Sequence, residues 1–182
     1  VDVIIGPGTE IIAGEGCLVE NAAALKEMGK KALIVTGRHS ARANGSLDDA
    51  LKALALNGQD YVLFDKVMSN PTVQCAFEGA AAMREGKCDF VLAIGGGSPM
   101  DAGKAMALLA ARDEAVDPAA IFSTAYTAAY PVVAVPTTAG TGSEVTQYSI
   151  LTNDAAETKT SIASPLIFPR LAFLDARYMS GL

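Results

Sequence analysis

Two segments of the chain carry residue types and spacings that can do chemistry. They are Gly95-Gly96-Gly97-Ser98-Pro99-Met100-Asp101-Ala102-Gly103-Lys104 and Pro136-Thr137-Thr138-Ala139-Gly140-Thr141-Gly142-Ser143-Glu144-Val145-Thr146. The first follows the apolar run Phe90 to Ile94 and precedes Ala105 to Ala111, rich in helix formers, so a strand passes through a glycine turn into a helix. Bare backbone N–H groups at such a helix start, with the positive end of the helix dipole, favour a bound phosphate. Ser98 is expected as the N-cap, Pro99 at the first helical position, and Asp101 as the capping-box acid reaching back to the cap. The second segment leaves the apolar run Val132 to Val135 as a hydroxyl-lined glycine loop, suited to ribose and phosphate oxygens. Together they read as a phosphate cradle and its facing wall.

Several familiar chemistries are excluded by particular residues. Met100 stands where the dinucleotide fingerprint G-x-G-x-x-G needs its third glycine, and the loop does not open the first strand-helix unit. Gly103-Lys104 lacks the glycine five residues earlier that a Walker A loop requires, and Ala105 replaces the magnesium-holding hydroxyl. Ser143 lies in no G-x-S-x-G elbow, and His39, the chain's single histidine, belongs to a different loop. His39 reads as a surface or phosphate-adjacent residue. A tight turn with a well-capped helix is the simple alternative for the glycine triplet taken alone.

The elements that must position these loops alternate along the chain. Ala32 to Thr36, Tyr61 to Phe64, Phe90 to Ile94 and Val132 to Val135 read as strands. Between them, Leu18, Val19, Ala22, Leu25 and Met28 recur at helical spacing, as do Leu47, Ala50, Leu51 and Leu54, and Val73, Ala76, Phe77 and Ala80. That alternation predicts an α/β fold, a parallel sheet with helices on both faces and ligands beyond the carboxyl ends of the strands. Val145 to Leu151 and Lys159 to Ala163 read as a β-hairpin, and Leu171 to Leu174 as a final strand.

At 182 residues the chain is most simply one domain, residues 1–182. Hydrophobic residues make up 51%, yet no apolar run reaches the roughly 18 residues of a membrane span, which points to a sheet buried on both faces or to a missing partner surface. A net charge of −6, with no basic cluster, argues against nucleic acid as ligand. Cys17, Cys75 and Cys88 are scattered and odd in number, and no signal peptide is visible, so a reducing cytoplasm is the expected compartment.

The glycine triplet with Ser98-Pro99-Met100-Asp101, followed by Pro136 to Thr146, resembles the iron-type (group III) alcohol dehydrogenase family. Gly6-Pro7-Gly8, Val35-Thr36-Gly37-Arg38, Asn44-Gly45-Ser46-Leu47, Asn70-Pro71-Thr72, Lys159 and Leu171 to Asp175 extend the resemblance over essentially the whole chain. It implies the N-terminal, Rossmann-like domain of a dehydroquinate-synthase-like fold, holding NAD or NADP. Gly96, Gly97 and Ser98 would hold the pyrophosphate, Asp101 would support that turn and the neighbouring ribose, and Thr137 and Thr138 would line the opposite wall. Asn70 would lie near the adenine end, and Ser143, Thr146 and Lys159 nearer the nicotinamide.

NAD-using relatives carry an aspartate after the strand that ends at Thr36, whereas Gly37 stands there in this chain. With no carboxylate to repel a 2′-phosphate, and with Arg38 and Ser40 adjacent, NADP is favoured over NAD. The family's metal ligands, an aspartate and three histidines holding Fe2+ or Zn2+, belong to a helical domain that this chain lacks. The chain is therefore expected to bring the hydride carrier alone, to supply no catalytic residue, to be inactive by itself, and to act on a small alcohol or aldehyde in a homo-oligomeric enzyme. Glycerol-phosphate dehydrogenases and dehydroquinate synthases share the architecture, and a non-catalytic nucleotide-binding module is the remaining alternative.

Overall fold

A computed structural model describes residues 1–5 and 8–180. Gly6 and Pro7 of the Gly6-Pro7-Gly8 motif therefore lie outside the described residues. The elements run β1 (Asp2–Ile5), β2 (Glu10–Ala13), α1 (Cys17–Glu20), β3 (Lys31–Thr36), α2 (Ser40–Ala43), α3 (Ser46–Leu56), β4 (Asp60–Phe64), α4 (Val73–Glu85), β5 (Phe90–Gly95), α5 (Gly97–Ala110), β6 (Val132–Pro136), β7 (Tyr148–Asn153), β8 (Thr158–Ala163) and β9 (Leu171–Leu174), with short 3-10 turns between.

Seven strands form one sheet in the order β1-β2-β9-β6-β5-β3-β4. All its pairings are parallel except β1 with β2, which is antiparallel. The strands β3, β5 and β6 are continuous apolar runs because helices cover both faces of the sheet. Alternate residues of β5 serve opposite cores: Val91 and Ala93 pack with α4 and α5, whereas Phe90, Leu92 and Ile94 pack with Leu18, Leu25, Leu47 and Leu54. Fully burying side chains of the size of Phe90 or Leu92 stabilises by about 1.5–3 kcal/mol each. The hairpin β7-β8 is a separate two-stranded ladder, tied to the start of α4 by a bridge between Thr72 and Thr152.

The predicted strands and the hairpin are all present, but three local expectations are corrected. Leu18 to Met28 is not one helix. Asn21, at φ −111°, breaks it into the single turn α1 and a 3-10 turn over Ala22–Glu27. Two strands escaped the pattern: β1 and β2 are only 4 residues each and join as an antiparallel edge. The N-cap of α5 is Gly96 rather than Ser98, and no side chain caps it. Gly95, at φ 145°, turns the chain two residues earlier than the capping pattern implied, and a Cβ there would meet Pro99 Cγ at 2.7 Å.

Candidate functional site

The carboxyl ends of β3, β5 and β6 meet at one edge of the sheet, where a parallel α/β sheet binds its ligands. Thr137 N–H donates to the Gly95 carbonyl at 2.9 Å, so the two key loops leave their strands side by side. Between them lies the uncapped start of α5. Its space is specific for glycine: a Cβ on Gly96 would come within 3.1 Å of Thr138 Oγ1, and one on Gly97 within 3.0 Å of Thr141 Cγ2. A narrow channel of bare backbone at a helix N-terminus fits the pyrophosphate of a dinucleotide.

A cleft opens on each side of this cradle. The first, about 440 Å³, is lined by Gly96, Thr137 and Thr138 on one wall and by Ser40, Asn44, Arg177, Tyr178 and Ser180 on the other. Its outer wall is held by a charge cluster. Asp175, fully buried, accepts from Gly16 N–H at 2.8 Å and Arg177 N–H at 3.0 Å, and pairs with the Arg177 guanidinium at 2.5 Å. Arg177 and Tyr178 also donate to Asp49 of α3, at 3.1 and 2.6 Å. Burial alone would raise the Asp175 carboxyl, but the hydrogen bonds from Arg177 and Gly16 outweigh it and hold the group below its ordinary range. Burial and the neighbouring Asp49 push the Tyr178 hydroxyl upward, so it stays protonated and can donate.

The second cleft, about 240 Å³, is lined by Gly97, Ser98, Asp101, Thr141, Asn70, Pro71, Thr152 and Lys159, among others. Asn70, in the left-handed region at φ 58°, donates its N–H to Ser98 Oγ at 3.2 Å, which is where the freed Ser98 hydroxyl goes. Thr152 N–H donates to the Pro71 carbonyl at 2.8 Å, so the 70–72 loop and the hairpin form one wall. Lys159 sits directly across the hairpin from Thr152.

Most of the expected site residues converge, though not all as expected. Gly96, Ser40, Thr137 and Thr138 line the first cleft, and Gly97, Ser98, Asp101, Asn70 and Lys159 the second. Asn70 is thus beside Lys159, not at the opposite end of the site. Asp101 does not cap α5; it accepts from Ser143 Oγ at 3.0 Å. Ser143 and Thr146 line neither cleft. They lie behind the wall, where the Lys104 ammonium donates to Ser143 O at 2.6 Å, Ser143 Oγ at 2.9 Å, Thr146 Oγ1 at 3.3 Å and Tyr148 O at 3.0 Å. Gly37 ends β3 half-buried, and Arg38 is exposed on the following turn, outside the lining of either cleft.

Residues that motif reading missed are Asn44, Arg177, Tyr178 and Ser180 in the first cleft, Thr141 and Thr152 in the second, and buried Lys104. Asn44, Thr141 and Lys104 sat inside quoted motifs without being assigned these places. Among the described residues, no three His, Cys, Asp or Glu side chains come together so as to hold a metal ion. The residues present therefore fit a dinucleotide but not a metal. Among the described residues, no helix is long and apolar enough to cross a membrane.

The model of a family described as iron-containing alcohol dehydrogenase matches residues 8–176. An NADPH-dependent butanol dehydrogenase of Clostridium saccharobutylicum is 36% identical over 92% of this chain and 43% of its own length. An NAD-dependent methanol dehydrogenase of Bacillus methanolicus is 33% identical over 92% of the chain and 44% of its own length. A crystal structure of an iron-containing alcohol dehydrogenase from Thermotoga maritima superposes with a TM-score of 0.90 at 38% identity, covering 100% of this chain and 50% of that one. The chain spans somewhat less than half the length of the curated relatives it matches.

Proposed function

The chain belongs to the iron-containing alcohol dehydrogenase family, and from that premise we propose that it is the dinucleotide-binding half of an NAD(P)-dependent alcohol dehydrogenase or aldehyde reductase. The observation that carries this reading is the glycine cradle with a side-chain-lined cleft on each side. A dinucleotide has that shape.

In this reading the N–H groups of Gly97 and Ser98 take the pyrophosphate. The first cleft holds the adenosine between Thr138 and the wall of Ser40, Arg177 and Tyr178, and the second holds the nicotinamide riboside between Asp101, Asn70 and Lys159. When bound, the nicotinamide supplies hydride transfer to or from an alcohol or carbonyl carbon. Gly37 leaves no carboxylate to repel a 2′-phosphate, and Arg38 and Ser40 stand on the adjoining turn, so NADP(H) is the preferred form, as in the name of the Clostridium relative. The metal belongs to a helical domain of the complete enzyme, and the substrate is a small alcohol or aldehyde.

Calorimetric titration with NADPH and NADH in parallel tests the reading. Binding of NADPH more tightly than NADH, lost in Gly97→Val, is the expected result. Binding retained in Gly97→Val overturns the cradle, and equal binding of the two dinucleotides overturns the preference.

A further inference from the structure

Lys104 is a fully buried lysine on α5, far from the solvent where its charge would be cheapest. An ammonium has three protons to donate, and four acceptors from Ser143, Thr146 and Tyr148 surround this one at 2.6 to 3.3 Å. All four lie in one stretch of chain, running from the end of the Pro136 to Thr146 loop into β7. Its far end is tied to β8, where Ser164 N–H donates to the Gln147 carbonyl at 3.0 Å and Tyr148 pairs with Ala163, but its near end follows a loose turn. Gly140 and Gly142 take left-handed angles of 145° and 66°, and nothing lies within 4 Å of the space where their side chains would be.

The clamp leads directly to the cradle. Ser143 Oγ accepts from Lys104 and donates to Asp101, which fixes its orientation from both sides, and Ser143 N–H reaches Thr141 Oγ1 at 3.4 Å. Thr141 is the residue whose methyl would collide with any side chain on Gly97. Lys104, Ser143, Thr141 and Gly97 therefore form a continuous line from helix interior to binding surface. We propose that Lys104 is a positioning residue that clamps the 141–148 segment against the glycine cradle and so sets the width of the second cleft for a nicotinamide dinucleotide. The inference rests on the dinucleotide reading above.

A buried charge is an expensive way to fill this space. Burial pushes the Lys104 amine down to about 8, against the opposing pull of Asp101 and Glu144. Replacing a whole buried ion pair by apolar side chains of similar volume often leaves stability unchanged or improves it, whereas removing one partner alone costs stability. What the apolar side chain cannot do is aim the Ser143 and Tyr148 carbonyls at one point. Lysine here serves geometry more than stability.

Lys104→Met keeps the volume and removes the donors, and Lys104→Ala leaves a cavity that matches n-propylammonium in size and charge. Amide hydrogen exchange on the ligand-free proteins and dinucleotide titration on the same samples make the test. Protection lost only over residues 141–148, dinucleotide affinity lowered about tenfold in Lys104→Met, and affinity restored to Lys104→Ala by n-propylammonium but not by n-propanol, are expected. Unchanged local protection and affinity in Lys104→Met overturn the proposal, as does loss of protection spread evenly over the sheet. Should the unsubstituted protein bind neither NADPH nor NADH, the dinucleotide reading fails by itself, and the exchange pattern still decides whether Lys104 clamps the segment.

Discussion

The two clefts flank the same cradle and are built in different ways. The first lies between the residues that follow β5 and β6 and those of α2, and its outer side is locked by charges from α3 and from the turn after β9: Asp49, Asp175 and Arg177. The second is built from the first turns of α5, the turn at Asn70 and Pro71, Thr141 and the hairpin β7-β8, with the buried amine of Lys104 behind its wall. Charge pairs hold the outer wall of one end, and hydrogen bonds among the 70–72 turn, α5 and the hairpin hold the other.

The largest expected effect strikes the waist that the clefts share. Gly97→Val places a branched side chain against Thr141 and should weaken NADPH at least about 100-fold, about 2.7 kcal/mol, by calorimetry while far-UV circular dichroism stays the same. Asp175→Ala breaks the first cleft alone: with the N–H groups of Gly16 and Arg177 left without their acceptor, urea unfolding should show a loss of about 2 kcal/mol.

Gly37→Asp should cut NADPH affinity about tenfold and leave NADH unchanged, since a carboxylate there repels a 2′-phosphate. An NADH affinity that falls equally would show instead that the new side chain, with its Cβ 3.3 Å from the Val67 carbonyl, had distorted the turn. Thr72 Oγ1 accepts from Cys75 N–H at 3.1 Å as the N-cap of α4, beside the hairpin. Thr72→Ala should cost about 1 kcal/mol in thermal unfolding and leave the first cleft untouched.

The clefts also part company with pH. Asp175 has its proton affinity lowered by folding, so its contribution is complete above the ordinary carboxylate value and drains away as pH falls through and below it. Lys104 in the closed segment sits at about 8 against 10.5 for a free lysine, with Asp101 and Glu144 as the charged groups acting on it. An opened segment then holds more protons between those values, so rising pH favours closure. Exchange protection at residues 143–148 should grow from about pH 8 upward in the unsubstituted protein and stay flat in Lys104→Met.

The fold was largely legible in the sequence because β3, β5 and β6 are buried on both faces and so leave unbroken apolar runs. The edge strands β1 and β2 left no such trace, since only Ile12 among the side chains described there is buried. Helical spacing from Leu18 to Met28 misled because the apolar residues face one core whether the backbone is one helix or two short turns. In the site, the cradle announced itself through glycine, whose absent side chain leaves a mark in the sequence. The Ser98 cap was misplaced because the turn at Gly95 is a matter of backbone angle, which no residue type at Ser98 records. The roles of Lys104 and Arg177 left no such mark, because Ser143, Thr146, Tyr148 and Asp49 are brought near them only by folding.

The strand order carries a consequence for how the molecule assembles. β9, the last of the nine strands, lies between β2 and β6, so the N-terminal strands have no edge to join until Leu171 to Leu174 are in place. During synthesis the hairpin β1-β2 must wait, unpaired with the sheet, until the chain has been made as far as β9. Closing a pairing so distant in sequence is the slow step that high contact order imposes. The unit from β3 to β6 can condense early, while the ladder that joins first strand to last makes the completed sheet a late event, with the β2 edge open to wrong partners until then.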